Sequence, residues 1–236
     1  MGANESPSSS SSNNKHFGFR VYNIIPNGPL HKANITPLDD FMLPPEEMFT
    51  KNIPFSEYIK NKAGTNITLH IYSLSKRKTT PISLQVNPIG SEDGFLGGSV
   101  RYENYITAEK KVLHVLKVKS NSFSETKLHL EEGNDYLIAL RPDHDKILTL
   151  NEANHNNPLE LFSKMIKANK GKECDFYIYN KYKGSRCISA TIDNNDPHFE
   201  MGCDVAYGML HEFPLSSSSS NNIDDDEKEK LREQQG

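Results

Sequence analysis

Short runs in which apolar side chains alternate with polar ones recur along the chain, and such alternation predicts β-strands. Strand-like runs at 19–25 and 112–118 open the two halves of the chain. Since residues two apart share a face of a strand, each run can bury one face and leave the other in water. The pattern therefore predicts a mostly β protein of the mixed α+β class. In two later strands of the first half, the apolar positions are Ile67, Leu69, Ile71, Ile82, Leu84 and Val86.

A helical period interrupts the strand pattern once in each half. In the second half, Asn157 is expected as the N-cap, with Pro158 at the first helical position and Glu160 at the third. Gly171 stands where a C-cap is expected, and in the first half Pro54 precedes a shorter helix. The apolar helix faces are predicted to be Leu159, Phe162, Met165 and Ile166 in the second half, and Phe55, Tyr58 and Ile59 in the first.

One stretch of the chain occurs twice. The segment 95–102 returns as 200–207 at one constant spacing, so that Gly97 is matched by Gly202. A repeat of about 100 residues has the size of a domain, and the sequence therefore predicts two tandem domains, at 17–108 and 109–215. Two copies of one small domain suit binding and assembly better than catalysis, because an active site needs only one cleft.

Each repeat ends with a hydrophobic–glycine turn that leads into a strand, beside an amphipathic helix. This layout is typical of a peptide groove, in which N–H groups of the turn hold a terminal carboxylate and the strand edge pairs with an added peptide. Glycine lets the backbone approach a ligand without an intervening side chain, so added bulk at Gly97 is expected to block binding. The alternative is that Gly97 and Gly202 serve only to form tight hairpins.

Composition limits the classes of function. The chain has 236 residues, a formal net charge of −4 and 35% hydrophobic residues. Polar tails at 1–16 and 216–236 are predicted to be disordered, because they hold too little apolar surface to offset the entropy of ordering. The near-neutral charge argues against nucleic acid as a partner. No apolar run approaches the roughly 18 residues of a membrane span.

The first six residues, Met1-Gly2-Ala3-Asn4-Glu5-Ser6, fit the pattern for N-myristoylation of Gly2. Modification requires a free Gly2 amine on an extended, unhindered segment, which the serine-rich arm provides. Because a single myristoyl chain binds membranes only marginally, a second contact is expected. That contact can be a protein partner, self-association or a second acyl chain.

Three cysteines and nine histidines raise the question of enzymatic or metal chemistry. No pair of potential ligands has zinc-finger spacing, and no nucleophile, base and orienting group occur together. The sequence therefore predicts no catalytic residues, no metal site and no cofactor other than covalent myristate. A thiol hydrolase that uses Cys203 remains as an alternative from the enzyme class.

Several stretches together carry a resemblance to one family. They are Gly18-Phe19-Arg20-Val21, Gly94-Phe95-Leu96-Gly97-Gly98-Ser99-Val100-Arg101, Asp135-Tyr136-Leu137-Ile138 and the run from Gly202 to His211. Over residues 17–215 the chain resembles the N-terminal region of the Golgi reassembly and stacking proteins, the GRASP family. The resemblance implies a myristoylated Gly2 followed by two tandem, circularly permuted PDZ-like domains. A His/Cys metal pair described for some relatives falls on Arg20 and Glu103, which cannot repeat it.

The resemblance also implies a function. The chain is expected to be a peripheral adaptor on the cytoplasmic face of Golgi membranes that tethers or stacks them by self-association in trans. Further expected partners are golgin-like coiled-coil proteins, cargo C-termini and, through the lipid, the membrane surface. A role in unconventional secretion is a further expectation of the resemblance. The alternative is a trafficking adaptor that binds cargo or golgin C-termini without tethering membranes by itself.

Three sets of residues are the candidates for these contacts. The groove of the first domain is predicted to use Tyr58, Ile59, Leu96, Gly97, Gly98, Ser99 and Val100. The groove of the second domain is predicted to use Met201, Gly202, Cys203 and Asp204. The self-association segment implied by the resemblance is Val205, Ala206, Tyr207, Gly208 and Met209.

Overall fold

The chain folds into two compact units, the first ending at Ile106 and the second beginning at Thr107. The computed structural model describes residues 16–144, 146–151, 156–194 and 199–216. The predicted tails therefore lie outside the described residues, except for His16 and Ser216, and so does Gly2. No helix in the described ranges is long and apolar enough to cross a membrane.

The first unit is an antiparallel sheet with three short helices inserted between its strands. Its sheet order is β4-β3-β2-β1-β5. The elements are β1 (Phe17–Ile24), α1 (Pro29–Lys32), β2 (Asp40–Met42), α2 (Glu46–Lys51), α3 (Phe55–Lys60), β3 (Asn66–Ser73), β4 (Lys78–Gln85) and β5 (Gly98–Asn104).

The second unit repeats this order along the chain and across the sheet. Its strands lie in the order β10-β9-β7-β6-β11, with β8 paired to β7. Helix α4 (Tyr105–Lys110) leads into it. The elements that follow are β6 (Leu113–Val118), α5 (Phe123–Thr126), β7 (Asp135–Pro142), β8 (Leu148–Thr149), α6 (Pro158–Ala168), β9 (Glu173–Asn180), β10 (Gly184–Thr191) and β11 (Cys203–Ala206).

The predictions of the alternating strand β3 and of the N-cap of α6 are confirmed. In β3 the side chains alternate between exposed and buried, with Ile67, Leu69 and Ile71 in the core. The Asn157 side chain caps α6 by accepting hydrogen bonds from the backbone N–H groups of Leu159 (3.0 Å) and Glu160 (3.1 Å). These features depend on neighbours in sequence, which explains why the sequence alone predicts them.

Two details of helix α6 differ from the prediction. Leu161 is buried instead of Leu159, which is 41% exposed and lies on the side of α6 that also carries Ser163. The helix ends at Ala168 with Asn169 as its C-cap. Gly171 comes two residues later, where its positive φ of 82° turns the chain toward β9.

A buried ion pair joins β1 to β5 in the first unit. Arg20, 1% exposed, lies 3.5 Å from the carboxylate of Glu103, 7% exposed. Arg20 also donates two hydrogen bonds to the carbonyl oxygen of Leu38, from Nε (3.0 Å) and Nη2 (2.6 Å). The Tyr22 hydroxyl donates to Glu103 as well, and burial raises the pKa of that hydroxyl. Arg20 and Glu103 thus form a structural ion pair inside the first unit.

Candidate functional site

The turn before β5 points two backbone carbonyls into its own unit. The Leu30 N–H donates to the Leu96 carbonyl (3.1 Å), and the Ile25 N–H donates to the Gly97 carbonyl (2.8 Å). In a trans peptide the N–H points opposite to the C=O of the same peptide unit. The N–H groups of Gly97 and Gly98 are therefore directed away from β1 and α1, as the binding of a terminal carboxylate requires.

The turn before β11 has the same arrangement in the second unit. The Ser124 N–H donates to the Met201 carbonyl (3.0 Å), and the Lys119 N–H donates to the Gly202 carbonyl (2.8 Å). By the same peptide geometry, the N–H groups of Gly202 and Cys203 point outward. The structure therefore places two equivalent candidate carboxylate sites, one at each glycine turn.

Both glycines are required by close packing as well as by conformation. Gly97 has a φ of +65°, and a Cβ there would lie 2.8 Å from the Gly28 Cα and 2.9 Å from the Pro29 Cδ. Gly202 has a φ of +72°, and its Cβ would lie 2.2 Å from the Ser122 Cβ. Each turn is thus pressed against the segment that leads into the first short helix of its unit.

Each glycine turn leads into a strand at the edge of its sheet. Strand β5 pairs with β1, with Val100 opposite Val21, and β11 pairs with β6, with Val205 opposite Val115. Within the described residues, neither β5 nor β11 pairs with a second strand. An edge of this kind offers unpaired backbone groups to an incoming peptide.

An open groove of about 660 Å³ runs between α6 and β11 in the second unit. Its apolar wall on the helix side is formed by Phe162 and Ile166, and Leu159 lies at its margin. The opposite wall is formed by Met201, Gly202, Cys203, Asp204 and Val205. The predicted groove residues of the second domain therefore line one cavity.

In the first unit the helix that corresponds to α6 is shorter. Tyr58 and Ile59 are buried in the core of the first unit, and their place in a groove stays a prediction. Helix α3 has only six residues, and its apolar face packs on the sheet. Leu96 is also buried in this core, whereas Ser99 is exposed on β5.

The end of β5 carries an aromatic cluster on the same side as α3. The Tyr102 ring lies 5.3 Å from that of Phe17 and 5.0 Å from that of Phe19, and the Phe19 ring stacks on Phe55 at 4.0 Å. These ring contacts hold Tyr102 against its own unit, although 36% of the residue is exposed.

The segment after β11 forms an exposed apolar loop, and this corrects the expected strand. The sequence pattern placed Val205, Tyr207 and Met209 on one strand face, but the strand ends at Ala206. Gly208 then turns the chain with a φ of +101°. We call residues 207–210 the apolar loop. Its exposed side chains are Tyr207 (41%), Met209 (86%) and Leu210 (91%).

The far end of the apolar loop is fastened to the second unit. Phe213 is fully buried, its ring lies 4.5 Å from that of Tyr179, and its N–H donates to the Glu109 carbonyl (2.8 Å). Nearby, His211 and His114 bring their Nδ1 atoms to 3.0 Å. Because the loop is anchored at both ends, it should lose little conformational entropy when its apolar side chains bind a partner.

The histidine pair makes the stability of the second unit depend on pH. Burial lowers the pKa of His114 below its ordinary value of 6.5, and the nearby His211 and Lys181 lower it further. The unfolded chain therefore binds more protons than the folded protein as the pH falls below about 6.5, and stability is lost in that direction. We therefore expect the melting transition of the second unit to shift to a lower temperature between pH 7.5 and pH 5.5.

Thermal unfolding of two variants tests this expectation. In His114→Gln the decrease should be smaller, whereas in the control His31→Gln, at an exposed histidine, it should match the unsubstituted protein. Equal pH dependence in all three proteins would show that the His114–His211 contact does not contribute.

An antiparallel unit with a glycine turn, an edge strand and a flanking helix has the architecture of the PDZ-like class of domains. A family model described as the GRASP55/65 PDZ-like domain matches residues 85–216, and the chain belongs to this family. The sequence-based expectation of the family is thereby confirmed.

Two curated relatives give the extent of the similarity. The chain is 23% identical over 202 residues to Golgi reassembly-stacking protein 1 of Homo sapiens and 24% identical over 206 residues to the Mus musculus protein of the same name. The alignments cover 84% and 85% of this chain, and 43% of each relative. The chain thus spans less than half the length of these two relatives.

Sequence reasoning missed three features of the site. They are the exposed Leu210, the His114–His211 contact and the four lysines that line the second groove, Lys117, Lys119, Lys167 and Lys170. The first two arise from chain reversal after Gly208, which residue patterns do not encode. A comparison of the two repeats position by position would have found the lysines, because the first repeat lacks most of them.

Proposed function

We propose that this protein is a peripheral adaptor that tethers or stacks Golgi membranes by self-association in trans. It comprises two tandem, circularly permuted PDZ-like domains, and N-myristate on Gly2 anchors it to the cytoplasmic face. Gly2 lies outside the described residues, so the lipid anchor rests on the sequence pattern alone. Family membership and the names of the relatives, which state a role in Golgi stacking, support the assignment.

The apolar loop is the observation that carries the tethering proposal. It presents Tyr207, Met209 and Leu210 to solvent at one end of the second unit. The first unit offers a glycine turn with outward N–H groups and an edge strand. In the proposed contact, the apolar loop of one copy docks at the glycine turn and β5 edge of another copy. Since each copy has one loop and one receptor site, proteins on opposing membranes can be linked.

The permuted order is supported by the position of the glycine turn. In both units the turn and its edge strand come last in the chain, after the other strands of the sheet. The identical sheet order of the two units supports an origin by duplication.

Replacing Tyr207 tests the proposed contact. We expect Tyr207→Ala to weaken self-association by at least about 2 kcal/mol, or roughly thirty-fold, because an exposed aromatic side chain on a fixed loop is suited to be a binding hot spot. Stability should change by less than about 0.5 kcal/mol, as is usual for surface positions. The measurement is the aggregation of beads coated with the pure protein, together with thermal unfolding.

Tyr102→Ala is the matched control, because Tyr102 occupies the equivalent place in the first repeat. It should lower stability more than Tyr207→Ala, since it stacks on Phe17 and Phe19, and should affect aggregation less. If Tyr207→Ala beads aggregate like the unsubstituted protein, the apolar loop is not the trans contact.

Removing the acylation site tests the anchor. We expect Gly2→Ala to move the protein from the membrane fraction to the soluble fraction of cells, because alanine cannot accept the myristoyl group. Fractionation and mass spectrometry of the intact protein are the measurements. A wild-type protein without an acyl mass, together with unchanged fractionation of the variant, would rule out the anchor.

The open groove of the second unit favours one alternative function. A cavity of about 660 Å³ with an apolar wall and a glycine turn suits a peptide C-terminus, and a trafficking adaptor needs no more than that. The partners would then be cargo or golgin-like C-termini. Beads coated with pure protein decide between the two functions, because an adaptor without intrinsic tethering leaves them dispersed.

The surroundings of Cys203 support a binding role over catalysis. Burial raises the pKa of the Cys203 thiol, so the thiolate that a thiol hydrolase requires is disfavoured. The thiol lies in the wall of the second groove. A small polarisable side chain of this kind suits packing against a ligand.

A further inference from the structure

The first residue of β2 is a buried carboxyl group with few partners. Asp40 is 7% exposed, and its Oδ2 atom accepts a hydrogen bond from the Thr36 N–H (2.8 Å). The Ser73 hydroxyl, on the neighbouring strand β3, also contacts this carboxyl group. Within the part of the chain that the structure describes, Asp40 forms no ion pair. A buried carboxylate without a cation is costly to ionise.

The second unit has an aspartate at the same position and gives it a cation. Asp135, the first residue of β7, is fully buried and accepts a hydrogen bond from the Glu131 N–H (2.7 Å), just as Asp40 does from the residue four positions before it. Arg186 then donates to both oxygens of Asp135, at 2.9 Å to Oδ1. The Asn180 side chain adds a further hydrogen bond to Oδ1 (2.7 Å).

The strand register shows which residue takes the place of this arginine in the first unit. Arg186 of β10 lies opposite Ile178 of β9, and Thr80 of β4 lies opposite Ile71 of β3. Each isoleucine lies two residues before the position that is opposite the buried aspartate. Thr80 is therefore the equivalent of Arg186, and its short neutral side chain cannot form an ion pair with Asp40.

A second buried carboxylate lies next to Asp40. Asp39 is 5% exposed and stands where the second unit has Asn134. It accepts hydrogen bonds from the N–H (2.8 Å) and the hydroxyl (2.7 Å) of Ser75, and from the Ser73 hydroxyl (3.1 Å). A serine hydroxyl has one proton to donate and can also accept. Ser73 can therefore donate to Asp39 and accept a hydrogen bond from a protonated Asp40.

Charged groups on the neighbouring elements do not replace the missing arginine. Arg20 of β1 lies over the ring of Phe41 (5.4 Å to the centroid), and so on the face of β2 opposite to Asp40. Where β3 turns into β4, the cations are all exposed: Lys76, Arg77 and Lys78. Lys76 lowers the pKa of Asp40, but less strongly than burial and the charge of Asp39 raise it.

From this arrangement we infer that the folded first unit holds a proton on Asp40, taken up from solvent, and that the unit loses stability when this proton is released as the pH rises. Burial, and next the charge of Asp39, raise the pKa of Asp40 to about 7 from its ordinary value of 3.8. Between these two values the folded unit binds more protons than the unfolded chain. Its stability therefore decreases with rising pH across this interval.

The second unit responds to pH in the opposite direction. Its His114–His211 contact makes it lose stability as the pH falls below about 6.5, whereas the first unit gains stability over the same interval. A small change of pH just below neutrality thus stabilises one unit and destabilises the other within the same chain.

Carbon NMR of the full chain, labelled in its aspartate carboxyl carbons, tests the inference. We expect one aspartate to titrate with a midpoint near pH 7, and this signal to be absent in Asp40→Asn. Thr80→Arg supplies the cation that Arg186 provides in the second unit, so it should lower the midpoint by about 1–3 pH units. Thr79→Arg is the matched control, because it adds the same charge on the opposite face of β4 and should leave the midpoint nearly unchanged.

Hydrogen exchange in peptides from each unit, corrected for the intrinsic effect of pH, is the second measurement. Protection of the first unit should decrease between about pH 5 and pH 7.5 in the unsubstituted protein and in Thr79→Arg, and should decrease less in Thr80→Arg. The inference is overturned if every aspartate titrates below about pH 5, close to the ordinary value. It is also overturned if the two arginine variants behave alike, or if the first unit becomes better protected as the pH rises.

Discussion

Gly97→Ala is expected to abolish aggregation of protein-coated beads and to destabilise the first unit. Two effects add at this position. The left-handed backbone conformation costs alanine about 1–2 kcal/mol, and the new Cβ would press on the Gly28 Cα at 2.8 Å and on the Pro29 Cδ at 2.9 Å. Overpacking of this kind typically costs about 1–3 kcal/mol. To relieve the contact the turn must move, which redirects the N–H groups of Gly97 and Gly98.

Gly94→Ala is the matched control for this experiment. Gly94 has nearly the same conformation, with a φ of +67°, but a Cβ there meets nothing within 4 Å. The control should therefore show the conformational cost alone and aggregate normally. Bead aggregation, thermal unfolding and circular dichroism are measured on both variants. A Gly97→Ala protein that is folded at the assay temperature and still aggregates beads would show that this turn is not the receptor of the trans contact.

Glu103→Leu is expected to cause the largest loss of stability, about 3–5 kcal/mol, because it leaves a buried arginine without its carboxylate. Arg20 is 1% exposed, and it also contacts the Leu38 carbonyl and the Phe41 ring, which carry no net charge. Chemical denaturation monitored by circular dichroism measures the change. The substitution also removes the acceptor of the Tyr22 hydroxyl.

Two further variants separate the charge from the packing. Arg20→Met combined with Glu103→Leu should recover much of the stability, because neither buried charge remains. Lys51→Ala breaks the exposed contact between Lys51 and Glu47 (2.7 Å) and should change stability very little, since such surface pairs contribute little. A double variant as unstable as Glu103→Leu alone would mean that shape, and not the unpaired charge, dominates.

Helices α3 and α6 show how much of a structure residue patterns can predict. The pattern identified the helical stretches and the cap at Asn157, because caps and helical periodicity involve residues within four positions of each other. It assigned Leu159, which is 41% exposed, to the buried face in place of Leu161. Which side of a helix faces the sheet depends on residues far away in sequence. A sequence pattern therefore predicts that a helix has an apolar face better than it predicts which residues lie at the middle of that face.

The end of β11 shows the same limit for strands. Alternation continued through Tyr207 and Met209, and the pattern therefore favoured a longer strand. The strand ends at Ala206, which pairs with His114 close to the start of β6, and Gly208 turns the chain away. The length of a strand is set by its hydrogen-bonding partner, and that partner lies about 90 residues earlier in the chain. The exposed apolar loop that results is a consequence of tertiary structure.

The sequence by itself determined the duplication, the alternating strands, the helix cap and the family, because each depends on local periodicity or on residue identities that recur. The tertiary structure alone decided three things. It paired Arg20 with Glu103 by placing β1 beside β5. It pointed the N–H groups of the glycine turns outward by bonding the carbonyls inward. It brought Lys117 of β6 and Lys167 of α6 to one groove, since residues distant in sequence become neighbours only when the sheet order is fixed.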